Sequence, residues 1–234
     1  MISFVWAEPL PLYSGRGGSE TYTVGQVREL LDRGIKTRII TVGLGKRDGR
    51  DYFPDIPFFD VKQMSDLSKL KDTLVFVNQP PLIKTVHHSF LIMHCQPPSD
   101  PKLRDIYLRA TSDKSIIANS KSTAKLWAEY LGIRMNKLTV VYPFADPVFS
   151  KVRRLKRSHL KTQILYAGRL TPEKGIYLIL ESLHHKVLRR SVNLTITTAG
   201  NQTTDGRIIE KFLRVHDWIK VVQATSTPQD TAKL

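Results

Sequence analysis

Residues 2–42, ISFVWAEPLPLYSGRGGSETYTVGQVRELLDRGIKTRIITV, decide the fold. Residues 2–7 form an apolar run short enough for a strand buried on both faces. From Ser19 to Arg33 the apolar residues change period. Tyr22, Val24, Val27, Leu30 and Leu31 follow helical spacing, and Gly34 stops the run. Residues 36–42 are a second buried strand. Strand, glycine-rich turn, helix and strand in that order predict a parallel βαβ unit.

The same alternation continues along the chain. Strands are expected at 73–77, 89–95, 115–118 and 138–142, with helical patterns at 97–110 and 121–130. Residues 43–65 read as loop-rich. After a basic run at 151–161 the alternation restarts, with strands at 163–167, 194–198 and 218–222. Helices are expected at 175–187 and 208–215, and another opens at Thr227-Pro228. The reading is α/β with two Rossmann-like domains, residues 1–155 and 156–234, and the second is expected to be incomplete because it holds only about three strands.

A length of 234 residues suits more than one average domain and fewer than two full ones. Apolar residues at 41% and charged residues at 24% are globular values, not those of a disordered chain. No apolar run approaches the roughly 20 residues of a spanning helix. The first residues carry no basic flank, so they read as a strand rather than a signal segment. Cys95 is the sole cysteine, which excludes an internal disulfide and a multi-cysteine zinc site and suits a reducing cytoplasm. The net charge is +15, with 16 basic and 6 acidic side chains in residues 151–234. Such a balance favours anionic partners: nucleic acid, an acidic membrane surface or phosphorylated small molecules.

Three stretches carry candidate chemistry. Gly15-Arg16-Gly17-Gly18-Ser19-Glu20 lies before a helix, whose free N–H groups and partial positive charge suit phosphate. A dinucleotide fingerprint would need glycine where Glu20 stands and an acid near Thr41-Val42, so a nicotinamide or flavin is not expected. Gly168-Arg169-Leu170-Thr171-Pro172-Glu173-Lys174-Gly175 sets two cations between a strand end and a helix start. A guanidinium fork and a compact ammonium together suit a diphosphate, although each is also an ordinary surface residue. His94 ends the strand at 89–95. It reads either as a group that touches a substrate hydroxyl or as a satisfied rim histidine. His94 and Cys95 point to opposite strand faces, which argues against a shared metal, and no metal is expected.

Taken in order, these features resemble glycosyltransferase family 4, retaining enzymes of the GT-B fold. The resemblance runs through Gly17-Gly18-Ser19-Glu20 and its helix, the strand-end His94, Ile116-Ile117-Ala118-Asn119-Ser120, and the spaced set Gly168, Arg169, Lys174 and Gly175. It covers nearly the whole chain. It implies that Gly17 and Gly18 bring backbone to the donor diphosphate and sugar, that Arg169 and Lys174 neutralise the departing diphosphate, and that His94 contacts the sugar or the reacting centre. The implied reaction moves a sugar from a nucleotide-diphosphate donor to a glycan or lipid-linked acceptor hydroxyl, with anomeric configuration kept. UDP-glucose-type donors are favoured over GDP-mannose, and no cofactor is needed. The basic balance suits work at the cytoplasmic membrane face, with no nucleic acid partner.

The family's Glu-x7-Glu pair is expected beyond Leu234. Glu173 and Glu181 share that spacing but sit too early, and the chain by itself is expected to turn over poorly. Two rival readings are a non-catalytic basic nucleic-acid module and another GT-B enzyme such as a nucleotide-sugar epimerase. The basic run lacks interleaved aromatics for base stacking, which counts against the first.

Overall fold

The computed structural model describes residues 1–12, 17–78, 80–145, 147–151, 161–183, 190–198, 204–214, 216 and 218–223. The chain divides into two compact units, Met1–Phe144 and Ala145–Leu234. The boundary expected at 155/156 and the helix expected from Thr227 lie outside the described residues, as does most of the basic run. No described helix is long and apolar enough to cross a membrane.

The first unit is built on seven strands: β1 (Ile2–Trp6), β2 (Thr37–Val42), β3 (Phe58–Val61), β4 (Thr73–Val77), β5 (Ser89–Met93), β6 (Lys114–Ala118) and β7 (Leu138–Val140). Their order is β3-β2-β1-β4-β5-β6-β7, and every pairing is parallel. The chain therefore winds outward from β1 to one edge, then returns to β4 and winds to the other. Crevices at such a reversal, outside the carboxyl ends of the strands, are where open α/β sheets take ligands.

Period-two alternation divides each strand between two cores. Val5, Phe76, Leu91, Met93, Ile116 and Ala118 face one side, where Trp127 and Leu131 of α3 (Lys121–Leu131) cover them. Phe4, Trp6, Ile39, Val75, Val77 and Ile92 face the other, under Tyr22, Val24 and Val27 of α1 (Gly18–Asp32). Near-continuous apolar strands are what two covered faces demand. Ser120 caps α3 by accepting from the Thr123 amide at 3.0 Å, and Gly132, at φ 67°, ends it. α1 closes with Gly34 in the left-handed region, where its amide and that of Ile35 bond back to Leu31 and Leu30.

Two expectations change. Residues 43–65, expected to be loop-rich, also contain the edge strand β3. Its Phe-Phe-Asp-Val sequence is short and carries an acid at its third position. That acid is kept because the Asp60 carboxylate accepts from Thr41 Oγ1 at 2.7 Å and from the Leu44 amide at 3.0 Å. The helix expected over 97–110 also begins later. Pro101 opens a short 3-10 turn capped by Asp100, and α2 runs only from Arg104 to Thr111. Prolines early in that stretch remove the amide donors a longer helix would need.

The second unit holds β8 (Thr162–Ala167), α5 (Ile176–Ser182), β9 (Val192–Thr198), α6 (Thr204–Arg214) and β10 (Ile219–Gln223), after the short turn α4 (Val148–Lys151). Its sheet is parallel, in the order β10-β9-β8. Tyr166, Ile176, Leu194, Ile196, Leu213 and Ile219 form its core.

Candidate functional site

In the first unit the candidate residues flank the start of α1 and the carboxyl ends of β4, β5 and β6. Gly17 precedes α1 in extended backbone, and no side chain caps the helix there. Among the described residues, a methyl group placed on Gly18 would meet nothing within 4 Å, and the nearest neighbour of one on Gly17 is the flexible end of Glu20. Packing against the described residues demands neither glycine. The next residue, Ser19, accepts from Asn78 Nδ2 at 3.3 Å. Asn78 follows β4 at φ 63°, the one positive φ of a non-glycine among the described residues. Its amide nitrogen bonds to the Ile92 carbonyl of β5.

His94 follows β5 directly. Its ring meets Tyr22 of α1 edge-on, with centroids 4.7 Å apart. The Tyr22 hydroxyl donates to the Val141 carbonyl at 3.2 Å, which ties α1 to the segment after β7. Asn119, after β6, donates from Nδ2 to the His94 carbonyl at 3.0 Å. That bond fixes the amide orientation, because a carbonyl accepts only. On the opposite face, Trp127 Nε1 donates to the Cys95 carbonyl at 2.8 Å and holds the chain just past His94.

His94 Nε2 is buried and has no hydrogen-bond partner among the described residues. Burial alone pushes its pKa down from 6.5 to about 4. The ring is then neutral at physiological pH and can donate or accept at Nε2. The linkage has a definite sign. Between pH 6.5 and 4 the unfolded chain binds a proton on this ring and the folded chain does not, so stability falls as pH drops through that window. Denaturant titrations at pH 7 and pH 4.5 are expected to differ by about 2–3 kcal/mol from this group. The difference should shrink in His94→Gln, which has no proton to take up.

The second unit carries the other two expected residues. Arg169 follows β8, and Lys174 ends the turn Pro172–Lys174 just before α5. Both are exposed. Arg169 touches Glu173 only at 3.7 Å, and the Tyr166 hydroxyl holds the Arg169 carbonyl at 2.7 Å. Gly175, at φ 74°, turns the chain between Lys174 and the helix, a conformation that side chains resist. Glu181 lies in α5 and Glu173 in the turn before it, both exposed.

Gly17, Gly18 and His94 thus belong to the first unit, and Arg169 and Lys174 to the second. Sequence reasoning missed Asn78 and gave Asn119 no role of its own. An asparagine directly after an apolar strand was the available signal for Asn78, since Asn tolerates the left-handed region best after glycine. Among the described residues, no three His, Cys, Asp or Glu side chains are placed to hold a metal ion.

No family model and no curated protein sequence matches this chain. Solved structures do. A glycosyltransferase from Rickettsia africae ESF-5 matches with a TM-score of 0.69 at 16% identity, over 96% of this chain and 68% of that one. The apo form of the lipopolysaccharide outer core galactosyltransferase WaaB matches with a TM-score of 0.58 at 15% identity, over 99% and 70%. The α/β fold with its two parallel sheets is the GT-B-type fold of these glycosyltransferases.

Proposed function

We propose that this chain is a glycosyltransferase of family 4 type, which moves a sugar from a nucleotide-diphosphate donor to an acceptor hydroxyl with retention. The observation that carries the reading is the neutral, unpartnered His94 Nε2 at the carboxyl end of β5, within the fold of known glycosyltransferases. Residues 1–155 would form the acceptor-side domain and residues 156–234 part of the donor-side domain. UDP-glucose is the first donor to test and GDP-mannose the second, with a glycan or lipid-linked acceptor.

Chemically, the bond from the anomeric carbon to the diphosphate oxygen breaks as the acceptor oxygen bonds that carbon. The acceptor's proton passes to the departing diphosphate. Negative charge grows on the leaving oxygen, where fixed cations such as Arg169 and Lys174 act most strongly. His94 is neutral and suits a sugar hydroxyl better than a phosphate. The basic balance of the chain suits an acceptor at an anionic membrane surface.

The test is a donor panel of UDP-glucose, UDP-N-acetylglucosamine and GDP-mannose, with binding by calorimetry and transfer by product analysis. Gly18→Ala is the sharpest variant. Because space is open at Gly18, the fold is expected to gain a few tenths of a kcal/mol from better helix propensity. Donor affinity should fall about tenfold, because the methyl group occupies the approach to the backbone. Unchanged affinity would remove the glycine loop from the site. Product formed without any acceptor would favour an epimerase.

A further inference from the structure

We propose that Glu173 is a built-in counter-anion of the Arg169 and Lys174 cations, a carboxylate that a diphosphate displaces on binding and that hastens its departure. The counter-anion deepens the transfer reading and rests on it for the diphosphate. Glu173 lies in the turn Pro172–Lys174, and the backbone there is firmly held. Leu170 is buried in the core of the second unit, and the Tyr166 hydroxyl donates to the Arg169 carbonyl at 2.7 Å. The amides of Thr171, Lys174 and Gly175 bond back to the carbonyls of Arg169, Thr171 and Pro172. Such a turn fixes where its side chains start and leaves their charged ends to find their own balance.

That balance is unlike the other arginine pairs. Arg28, Arg33, Arg38, Arg50 and Arg214 close on their carboxylates to 2.6–2.7 Å. Arg169 Nη2 stays 3.7 Å from Glu173 Oε1, too far for a hydrogen bond. Among the described residues, the side chains of Arg169 and Lys174 make no hydrogen bond, so their donors are unspent. Glu173 is held off because it answers to several neighbours. The Thr171 side chain, its own backbone amide and then the Arg169 and Lys174 charges hold its carboxyl below the usual carboxylate range. After burial, the Glu173 charge also pushes the Tyr166 phenol up. The carboxylate is thus ionised, and it lies within the field of both cations and of the phenol on β8.

The consequence is electrostatic. An exposed ion pair contributes little to folding, and one without a hydrogen bond is easily displaced. A diphosphate can satisfy the unspent donors through charge-assisted hydrogen bonds, which the carboxylate at 3.7 Å does not make. Once bound, it sits beside a like charge. That repulsion acts on the donor and on the diphosphate product alike, so it weakens affinity and speeds release without assisting the chemical step. Product release limits turnover in many enzymes, and two cations with no opposing charge would hold a diphosphate longest. Glu173 is a positioning residue in this scheme, since it acts through Arg169 and Lys174.

Calorimetry on the full chain with UDP, pyrophosphate and uridine tests it. Glu173→Gln keeps the shape of the side chain and removes its charge. It is expected to tighten UDP and pyrophosphate about three- to tenfold at about 20 mM salt, and the gain should fall below about twofold at about 300 mM. Uridine carries no charge and should bind both proteins alike. Glu173→Asp keeps the carboxylate and should stay within about twofold of the parent. In an Arg169→Ala background the gain should shrink, because one of the two cations is gone. Unchanged or weaker binding of both anions by Glu173→Gln overturns the counter-anion. So does a gain that survives high salt or extends to uridine, which marks a change of shape. Binding of neither anion by parent or variant overturns it as well. If Arg169→Ala and Lys174→Ala weaken UDP while Glu173→Gln does not tighten it, the counter-anion fails and the transferase reading stands. If pyrophosphate shows the gain but UDP binds to neither protein, the counter-anion stands and the transferase reading fails.

Discussion

Arg169→Ala is expected to lower sugar transfer by about 10- to 100-fold, with little change in folding stability. A charge-assisted hydrogen bond contributes roughly 1.5–3 kcal/mol, and each 1.4 kcal/mol is a factor of ten in rate. The effect should appear in kcat as well as KM, because charge on the departing diphosphate is greatest in the transition state. Stability should hold, since the guanidinium is exposed and its contact with Glu173 is a surface ion pair at 3.7 Å. Arg169→Lys should recover part of the loss, keeping the charge without the planar fork. Lys174→Ala should behave similarly, and the double variant measures whether the two cations share one anion. Unchanged kcat and KM in both single variants would remove the diphosphate from this turn.

The second large effect concerns stability. Asp72→Ala is expected to cost about 3–5 kcal/mol, enough to unfold much of the first unit at modest denaturant. Asp72 sits just before β4 and is almost covered. Its carboxylate accepts from Ser3 Oγ at 2.5 Å and pairs with Arg38 Nη2 at 2.7 Å, and only 12% and 19% of the two charged side chains is exposed. Arg38 also lies over the Phe59 ring, 4.5 Å from its centroid. One carboxylate thereby ties β1 and β2, and through Phe59 β3, to the start of β4. Removing it strands a partly buried guanidinium and leaves the fully buried Ser3 hydroxyl without its acceptor.

Burial pushes the Asp72 pKa up, but the Ser3 hydroxyl and the Arg38 guanidinium outweigh it and hold the carboxyl below the usual range. The pair is therefore fully stabilising above about pH 4 and loses its value as pH falls further. Acid unfolding should show two stages, first from His94 and then from this carboxylate. Asp72→Asn should remove the second stage and keep the first. A single stage unaltered by Asp72→Asn would place the acid-sensitive group elsewhere.

Most of the architecture was legible because a sheet covered on both faces writes itself as short, unbroken apolar runs. β1, β2, β4, β5 and β6 all read that way. β3 did not, because an edge strand needs only one or two good apolar contacts and here hides an aspartate satisfied by Thr41 and the Leu44 amide. The helix at 97–110 misled because apolar spacing continues through prolines that the backbone cannot use. Gly17, Gly18, His94, Arg169 and Lys174 are the candidates that local patterns offer, glycine before a helix and charge after a strand. The left-handed turn at Asn78 and the commitment of Asn119 to the His94 carbonyl depend on neighbours distant in sequence. No window of residues contains them.

The placement of β1 between β2 and β4 has a cost during biosynthesis. β1 is made first among its partners, yet the strand that fills its second flank starts about 70 residues later. Until that length has left the ribosome, Phe4, Val5 and Trp6 wait on a ribbon with one hydrogen-bonding rim bare. Pausing translation before residue 73 should therefore yield nascent chains that recruit chaperones, and release past residue 77 should end that dependence.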